Sequence, residues 1–284
     1  MKMSVNESLD IISKYANNGL EPVVDFSGGR YSLVLLHLAS KILKQVKAVY
    51  VDTTISLPEC DEFVKDVCDE WGIDLVILKR KDFDFWDLVK RWGFPGRRIR
   101  WCMKEFKSLP LRLYNESNGG DILHLVGTSM YESSTRRRIY SVRGKYHYNF
   151  NVNSFSLLPL MKWTEDMIYE YLDKNNLSTN PCYEKYYGSG NCYYCPFITS
   201  LTYYKRLLDL QPKLFAKIVD AEKAMKNKGG AIYRGKGKVL HLSKLVKHLP
   251  DFELKPNRRP LTLKECEARI MTRKLFSCQK RCIM

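Results

Sequence analysis

FSGGRYSLVLL, residues 26–36, decides the fold. Residues 22–26 read as a short buried strand, Ser27-Gly28-Gly29 as a tight turn, and residues 32–43 as a helix. The broad apolar face of that helix carries Leu33, Leu35, Leu36, Leu38, Ala39, Ile42 and Leu43. Glycines let the backbone turn sharply and approach a ligand closely. The helix aims unpaired N–H groups, and the positive end of its dipole, at the same point. Ser27 and Ser32 add hydroxyl donors and Arg30 adds a fixed positive charge. The arrangement suits an anion, most simply a phosphate. On the glycines alone, an ordinary strand-to-helix turn fits as well.

Outward from this turn the pattern repeats. Residues 46–51, 75–78 and 122–126 read as strands. Residues 58–71, 83–92 and 103–114 read as helices. Strand and helix taking turns implies a parallel sheet covered on both faces, an α/β fold of Rossmann-like type. Residues 131–143 are polar and strongly basic and read as a loop over the sheet edge; residues 154–160 read as a last strand. Thr164 is placed to cap a helix running to about Asn175, with Glu165 and Asp166 in its first turn. From Asn180, cysteine, tyrosine, glycine and proline crowd together, a composition that holds no regular helix and calls for an organiser such as a metal. Residues 199–210 and 213–225 read as helices, and residues 226–238 as a glycine-lysine loop. Two regions follow from this: an anion-binding α/β domain over 1–179 and a cysteine-rich, mostly helical extension with a basic tail over 180–284.

The chain has 284 residues, 45% of them hydrophobic, enough for a normal core. Its formal net charge of +16 favours anionic partners, a nucleotide or a nucleic acid, and equally suits a basic enzyme with no polymer partner. The first 20 residues are polar and amphipathic, without the apolar core of a secretion signal, and no stretch approaches the roughly 18 apolar residues of a membrane span. The expected location is cytoplasmic, where nine cysteines serve as thiols, metal ligands or redox groups rather than disulfides.

Four further motifs extend the first. FSGGRYS resembles the PP-loop of the phosphoadenylyl-sulfate (PAPS) reductase and ATP-pyrophosphatase superfamily, usually Ser-Gly-Gly-Lys-Asp-Ser. Val49-Tyr50-Val51-Asp52-Thr53 with Leu57-Pro58-Glu59 resembles its second nucleotide motif. Gly93-Phe94-Pro95 through Arg100-Trp101-Cys102, then Lys107 and Pro110-Leu111, resemble a segment of its archaeal-type branch. Gly127 through Glu132-Ser133 and Arg136-Arg137 follow in order, then Pro159-Leu160, Trp163-Thr164 and Asn180-Pro181 through Cys195-Pro196. The resemblance covers roughly residues 22–200. It implies that Ser27, Gly28, Gly29, Arg30 and Ser32 cradle phosphates, with adenosine against Val51, Asp52 and Thr53 and help from Glu132 and Ser133. It implies that Lys107, Arg136 and Arg137 hold a sulfate or 3′-phosphate, since guanidinium groups grip such anions with paired hydrogen bonds.

Two departures bear on the reaction. The PP-loop carboxylate is Tyr31 here, and its loss removes a group that positions Mg²⁺ for cleaving ATP. The C-terminal Glu-Cys-Gly-His-like nucleophile motif is reduced to Glu265-Cys266-Glu267. Cys278 and Cys282, among Lys274, Lys280 and Arg281, are candidate replacements, because neighbouring cations activate thiols.

Cys192 and Cys195 form a Cys-x-x-Cys pair, and Cys182 lies in the same segment. By the resemblance, Cys102 joins them. Four thiolates suit zinc or an iron–sulfur cluster, and the resemblance favours [4Fe–4S]. Cys60 and Cys68 read as small core residues. Three functions are compatible with these residues. One is PAPS or adenylyl-sulfate (APS) reduction with a thioredoxin-like reductant. A second is ATP-dependent thiolation of tRNA or another nucleic acid, with Mg²⁺. The third is a non-catalytic nucleotide- or nucleic-acid-binding protein.

Overall fold

A computed structural model describes residues 5–187, 190–225, 232–234 and 238–246. A six-stranded sheet organises it. The strands are β1 (Glu21–Asp25), β2 (Lys47–Asp52), β3 (Asp74–Lys79), β4 (Ile122–Val126), β5 (Tyr146–Asn149) and β6 (Ser154–Leu157), in the order β3-β2-β1-β4-β6-β5. Every pairing is parallel except β5 with β6. Strand order reverses between β1 and β4, and in open α/β sheets that switch point is where ligands bind, beyond the carboxyl ends of the strands.

Both faces are covered, as the alternation of elements requires. Helices α1 (Val5–Ala16), α2 (Arg30–Ser40), α3 (Pro58–Glu70) and α8 (Glu165–Lys174) bury a core of Val24, Phe26, Leu33, Leu36, Val64 and Ile168. On the opposite face, Leu111 and Tyr114 of α6 (Leu109–Ser117) pack on Val23, Val49 and Ile122. Helix α6 is preceded by a short turn, α5 (Trp101–Met103), and a π-helical turn, Lys104–Ser108. Such turns are rare and frequently mark functional sites. A third core joins α4 (Phe85–Trp92) to the cysteine-rich segment and to the C-terminal helices α10 (Leu201–Leu210) and α11 (Pro212–Ala224), with Trp86, Tyr193, Tyr194 and Tyr203 at its centre. Every described residue falls in one compact unit.

Two stretches differ from their sequence reading. Residues 131–143 are not all loop: α7 (Ser134–Arg143) forms there, its first turn capped by Ser133 Oγ, which accepts from the Arg136 N–H at 3.1 Å. None of its residues is buried, so no apolar stripe betrays it. The cysteine-rich segment does hold a helical turn, α9 (Cys182–Tyr186). Among the described residues it is organised by backbone pairing of Cys192 with Ser56, by Leu57 N–H to Asn191 O at 2.8 Å, by Tyr193 N–H to Ile55 O at 2.9 Å, and by aromatic packing. The glycine-lysine loop and the tail with Cys266, Cys278 and Cys282 lie outside the described residues, apart from two short paired strands, β7 (Ile232–Arg234) and β8 (Lys238–Leu240).

Cys60 and Cys68 are fully buried, as core residues should be. Burial pushes their thiols, and that of Cys182, up from 9.0 to about 12. A raised thiol holds its proton more tightly folded than unfolded. Its contribution to stability is therefore present below pH 9 and lost as the pH climbs from 9 toward 12. Tm is expected to fall steadily as the pH rises from about 9 to about 11. Thermal unfolding followed by circular dichroism checks this, and a Tm constant over that range contradicts it.

Candidate functional site

Internal hydrogen bonds and a glycine turn fix the phosphate loop. Gly28 has φ +73°, a conformation that side chains rarely adopt. Ser32 Oγ donates to Gly29 O at 2.8 Å, accepts from the Ser27 N–H at 3.3 Å and lies 3.2 Å from Ser27 Oγ. The cysteine-rich segment clamps the loop from outside: Asn180 Nδ2 donates to Gly28 O at 3.3 Å and to Gly190 O at 3.1 Å, and Asn191 Nδ2 donates to Ser27 O. Gly127, just after β4, lies against the start of α2. A Cβ there would come within 2.7 Å of the backbone of Tyr31 and Ser32.

Two open lobes meet at this loop, sharing Ser27, Ser32, Gly127, Arg136 and Asn191. The first, about 360 Å³, runs along the strand ends past Val49, Val51, Leu111 and Val126. Lys107 from the π-helical turn, together with Thr53 and Cys192, closes the other side. Strand alternation separates the second motif. Val51 and Thr53 line this lobe, whereas Asp52 accepts from the Thr54 N–H at 2.7 Å and pairs with Lys79 at 2.8 Å, away from it.

The second lobe, about 510 Å³, is lined by Arg30, Tyr31, Tyr131, Glu132, Tyr169 and Tyr183 among others. The Arg30 guanidinium lies 3.9 Å from the Tyr183 ring centre and 4.9 Å from that of Tyr169. Burial, then the Glu132 and Glu165 carboxylates, pushes the Tyr31 hydroxyl far above its ordinary range, so this side chain is a neutral phenol. Glu132 is a positioning residue. Its Oε2 accepts from Thr128 Oγ1 at 2.9 Å and the Ser129 N–H at 2.7 Å, and pairs with Arg136, which reaches both lobes. Ser133 caps α7 and lines neither lobe, and Arg137 lies over Tyr131, its guanidinium 5.5 Å from the ring centre, outside both.

The cysteines divide. Cys182 is fully buried, and its charged neighbours are Cys60, Glu59 and Lys185. Cys102 has Cys192 and Cys195 as electrostatic neighbours, with Lys107 beside it; burial first, then those two thiols, pushes it up to about 11. Burial raises Cys195 as well. Among the described residues, no three His, Cys, Asp or Glu side chains are arranged to hold a metal ion. Cys182 thus has different neighbours from the group formed by Cys102, Cys192 and Cys195. Cys192 is the cysteine that lines the cleft, its Sγ 3.3 Å from Thr53 Oγ1.

A glycine turn at the switch point of an open parallel sheet defines an α/β protein built for an anionic ligand at the strand ends. Residues 21–197 match the phosphoadenosine phosphosulfate reductase domain, and the chain belongs to that family. It is 29% identical over 233 residues to an uncharacterized protein of Methanocaldococcus jannaschii, an alignment covering 81% of this chain and 55% of that protein, so the chain spans about half of that relative's length. It is 26% identical over 177 residues to adenosine 5′-phosphosulfate reductase of Bacillus cereus, covering 62% of this chain and 73% of the relative. The crystal structure of phosphoadenylyl-sulfate reductase from Candida auris, a phosphate complex, shares the fold with a TM-score of 0.50 at 17% identity, covering 62% of this chain and 83% of that one. Among the described residues, no helix is long and apolar enough to cross a membrane.

Proposed function

We propose that the chain binds an adenylyl sulfate in the first lobe and transfers its sulfonate to Cys192. The observation that carries this reading is the placement of a Cys-x-x-Cys thiol on the wall of the cleft that begins at the phosphate loop. Membership of the phosphoadenosine phosphosulfate reductase domain family supports this choice of substrate class. The nucleotide phosphate sits on the N–H groups of the loop, with Ser27, Ser32 and Arg136 around it. The adenosine follows the apolar wall of Val49, Val51, Leu111 and Val126. The sulfonate faces Lys107 and Cys192.

The Cys192 thiolate attacks the sulfonate sulfur, and the bond from that sulfur to the phosphate oxygen breaks. AMP leaves with the electron pair, and Cys192 carries an S-sulfonate. The thiol proton passes to solvent. Lys107 and Arg136 offset the charge that builds on the departing oxygens. The Cys195 thiolate then attacks Cys192 Sγ and releases sulfite, leaving a Cys192–Cys195 disulfide. Two thiols are oxidised as one sulfur passes from the +6 to the +4 state. A thioredoxin-class dithiol restores the pair.

Tyr31 favours this chemistry over ATP cleavage. A neutral phenol offers Mg²⁺ no carboxylate, and sulfonate transfer needs none. The direct test is incubation of the full chain with dithiothreitol and either adenylyl sulfate or ATP with Mg²⁺. Sulfite and AMP from adenylyl sulfate are the expected products. Pyrophosphate from ATP, with no sulfite from adenylyl sulfate, overturns the reading in favour of nucleotide activation.

A further inference from the structure

A buried polar chain runs under the first lobe and ends in it. His124, in the middle of β4, is 1% exposed, and Asn115 of α6 is fully buried. Asn115 Nδ2 donates to Val152 O at 2.7 Å, which turns its Oδ1 toward His124 Nε2, 2.9 Å away. On the other side of the ring, Nδ1 lies 2.7 Å from Asp25 Oδ1. The ring therefore bridges the Asp25 carboxylate and the Asn115 amide, with a polar partner at each nitrogen. A polar ring buried this deeply persists only with such partners. Asp25 differs from the other two: its side chain is 26% exposed, and among the described residues it is the one acidic side chain lining the first lobe.

Asp25 ends β1, two residues before Ser27 of the phosphate loop. Two residues of strand span about 7 Å, close to the reach from a bound 5′-phosphate to the far side of its ribose. A carboxylate accepts hydrogen bonds and donates none. One of its oxygens is taken by His124, and the ring pins its orientation. The other is left for a ligand donor. Ribose hydroxyls are such donors, and an acidic side chain on a ribose hydroxyl is a general device for refusing a phosphate at that position.

We propose that Asp25, oriented by His124 and Asn115, accepts a hydrogen bond from the ribose hydroxyls and makes the cleft selective for an adenylyl group without a 3′-phosphate. This rests on the nucleotide reading given above and decides between its two substrates: adenylyl sulfate fits, and its 3′-phosphorylated form sets an acceptor against an acceptor. His124 and Asn115 are positioning residues that keep the carboxylate in place.

The test uses two unreactive ligands, AMP and adenosine 3′,5′-bisphosphate, titrated calorimetrically into the full chain. The wild type is expected to bind AMP at least about tenfold more tightly, the worth of one mismatched polar contact. Asp25→Asn keeps the shape, offers an amide donor, and is expected to shrink that ratio by about tenfold or invert it. A purely structural role for Asp25 would lower both affinities and leave the ratio alone. Titration of the wild type with 3′-deoxyadenosine 5′-monophosphate needs no variant; its affinity is expected to fall about tenfold below that of AMP. Bisphosphate binding as tightly as AMP, or an unchanged ratio in Asp25→Asn, overturns this inference alone. Binding of neither ligand overturns the nucleotide reading and this one with it.

Discussion

Replacing Cys192 by serine is expected to abolish sulfite formation, by at least about 10³-fold, while the affinity for AMP stays within about twofold. The serine hydroxyl keeps the size and the hydrogen-bonding capacity next to Thr53 Oγ1, but at neutral pH it is far less nucleophilic than a thiolate. A loss confined to turnover, with binding intact, is the mark of a group used only in the transition state. Cys195→Ser should behave differently. It leaves the attacking thiol in place, so AMP is released once per chain and sulfite is retained on the protein. Cys102→Ser tests the alternative resolving thiol. Cys102 neighbours both Cys192 and Cys195, and sulfite formation within about twofold of wild type in this variant is the result expected if Cys195 resolves the adduct. Activity of Cys192→Ser within tenfold of wild type contradicts the assignment.

The second large effect is expected from Gly127→Ala. The added Cβ would stand 2.7 Å from Ser32 Cα, Ser32 N and Tyr31 O. All three are backbone atoms at the start of α2, so no side-chain rotation relieves the overlap. Either β4 or the phosphate loop must move. Overpacking of this kind costs about 1–3 kcal/mol, and here the cost falls on the loop that holds the anion. Affinity for AMP is expected to drop at least about tenfold, together with a fall of several degrees in Tm. Gly96→Ala is the control, since a Cβ there meets nothing within 4 Å, and both readouts should match wild type. Wild-type affinity in Gly127→Ala contradicts a ligand seated on this loop.

Much of this architecture is legible in the residue pattern, for physical reasons that also mark its limits. The glycine turn at residues 27–29 lies between an apolar strand and an apolar helix, so its three local signals agree, and the strand-to-helix geometry follows. Thr164 caps α8 as expected, its Oγ1 accepting from the Met167 N–H at 3.3 Å. Helix α7 escaped because periodicity reports burial and this helix buries nothing. A capping serine at 133 and a glycine at 144 were the available signals, and they were local rather than periodic. The motif at 51–53 reads as a block in the sequence, although a strand sends Val51 and Thr53 one way and Asp52 the other.

The parts of the site that sequence reading missed depend on long-range contact. Asn180 holds Gly28 across 152 residues, and Asn191 holds Ser27 across 164. His124 sits inside an apolar run, ILHLV, where only the folded chain brings Asp25 and Asn115 to its two nitrogens. The four cysteines illustrate the same limit. Spacing groups Cys182 with Cys192 and Cys195, whereas the fold turns Cys182 toward Cys60 and Glu59 and leaves Cys192 on the cleft wall.

The most direct measurement is peptide mass spectrometry of the full chain quenched in acid within seconds of mixing with adenylyl sulfate, without added reductant, using Cys195→Ser to hold the adduct. The account predicts one sulfonate per chain, on the peptide that contains Cys192, matched by one equivalent of AMP. Sulfonate on Cys266, Cys278 or Cys282 instead, or AMP released with no sulfonated cysteine, would contradict it.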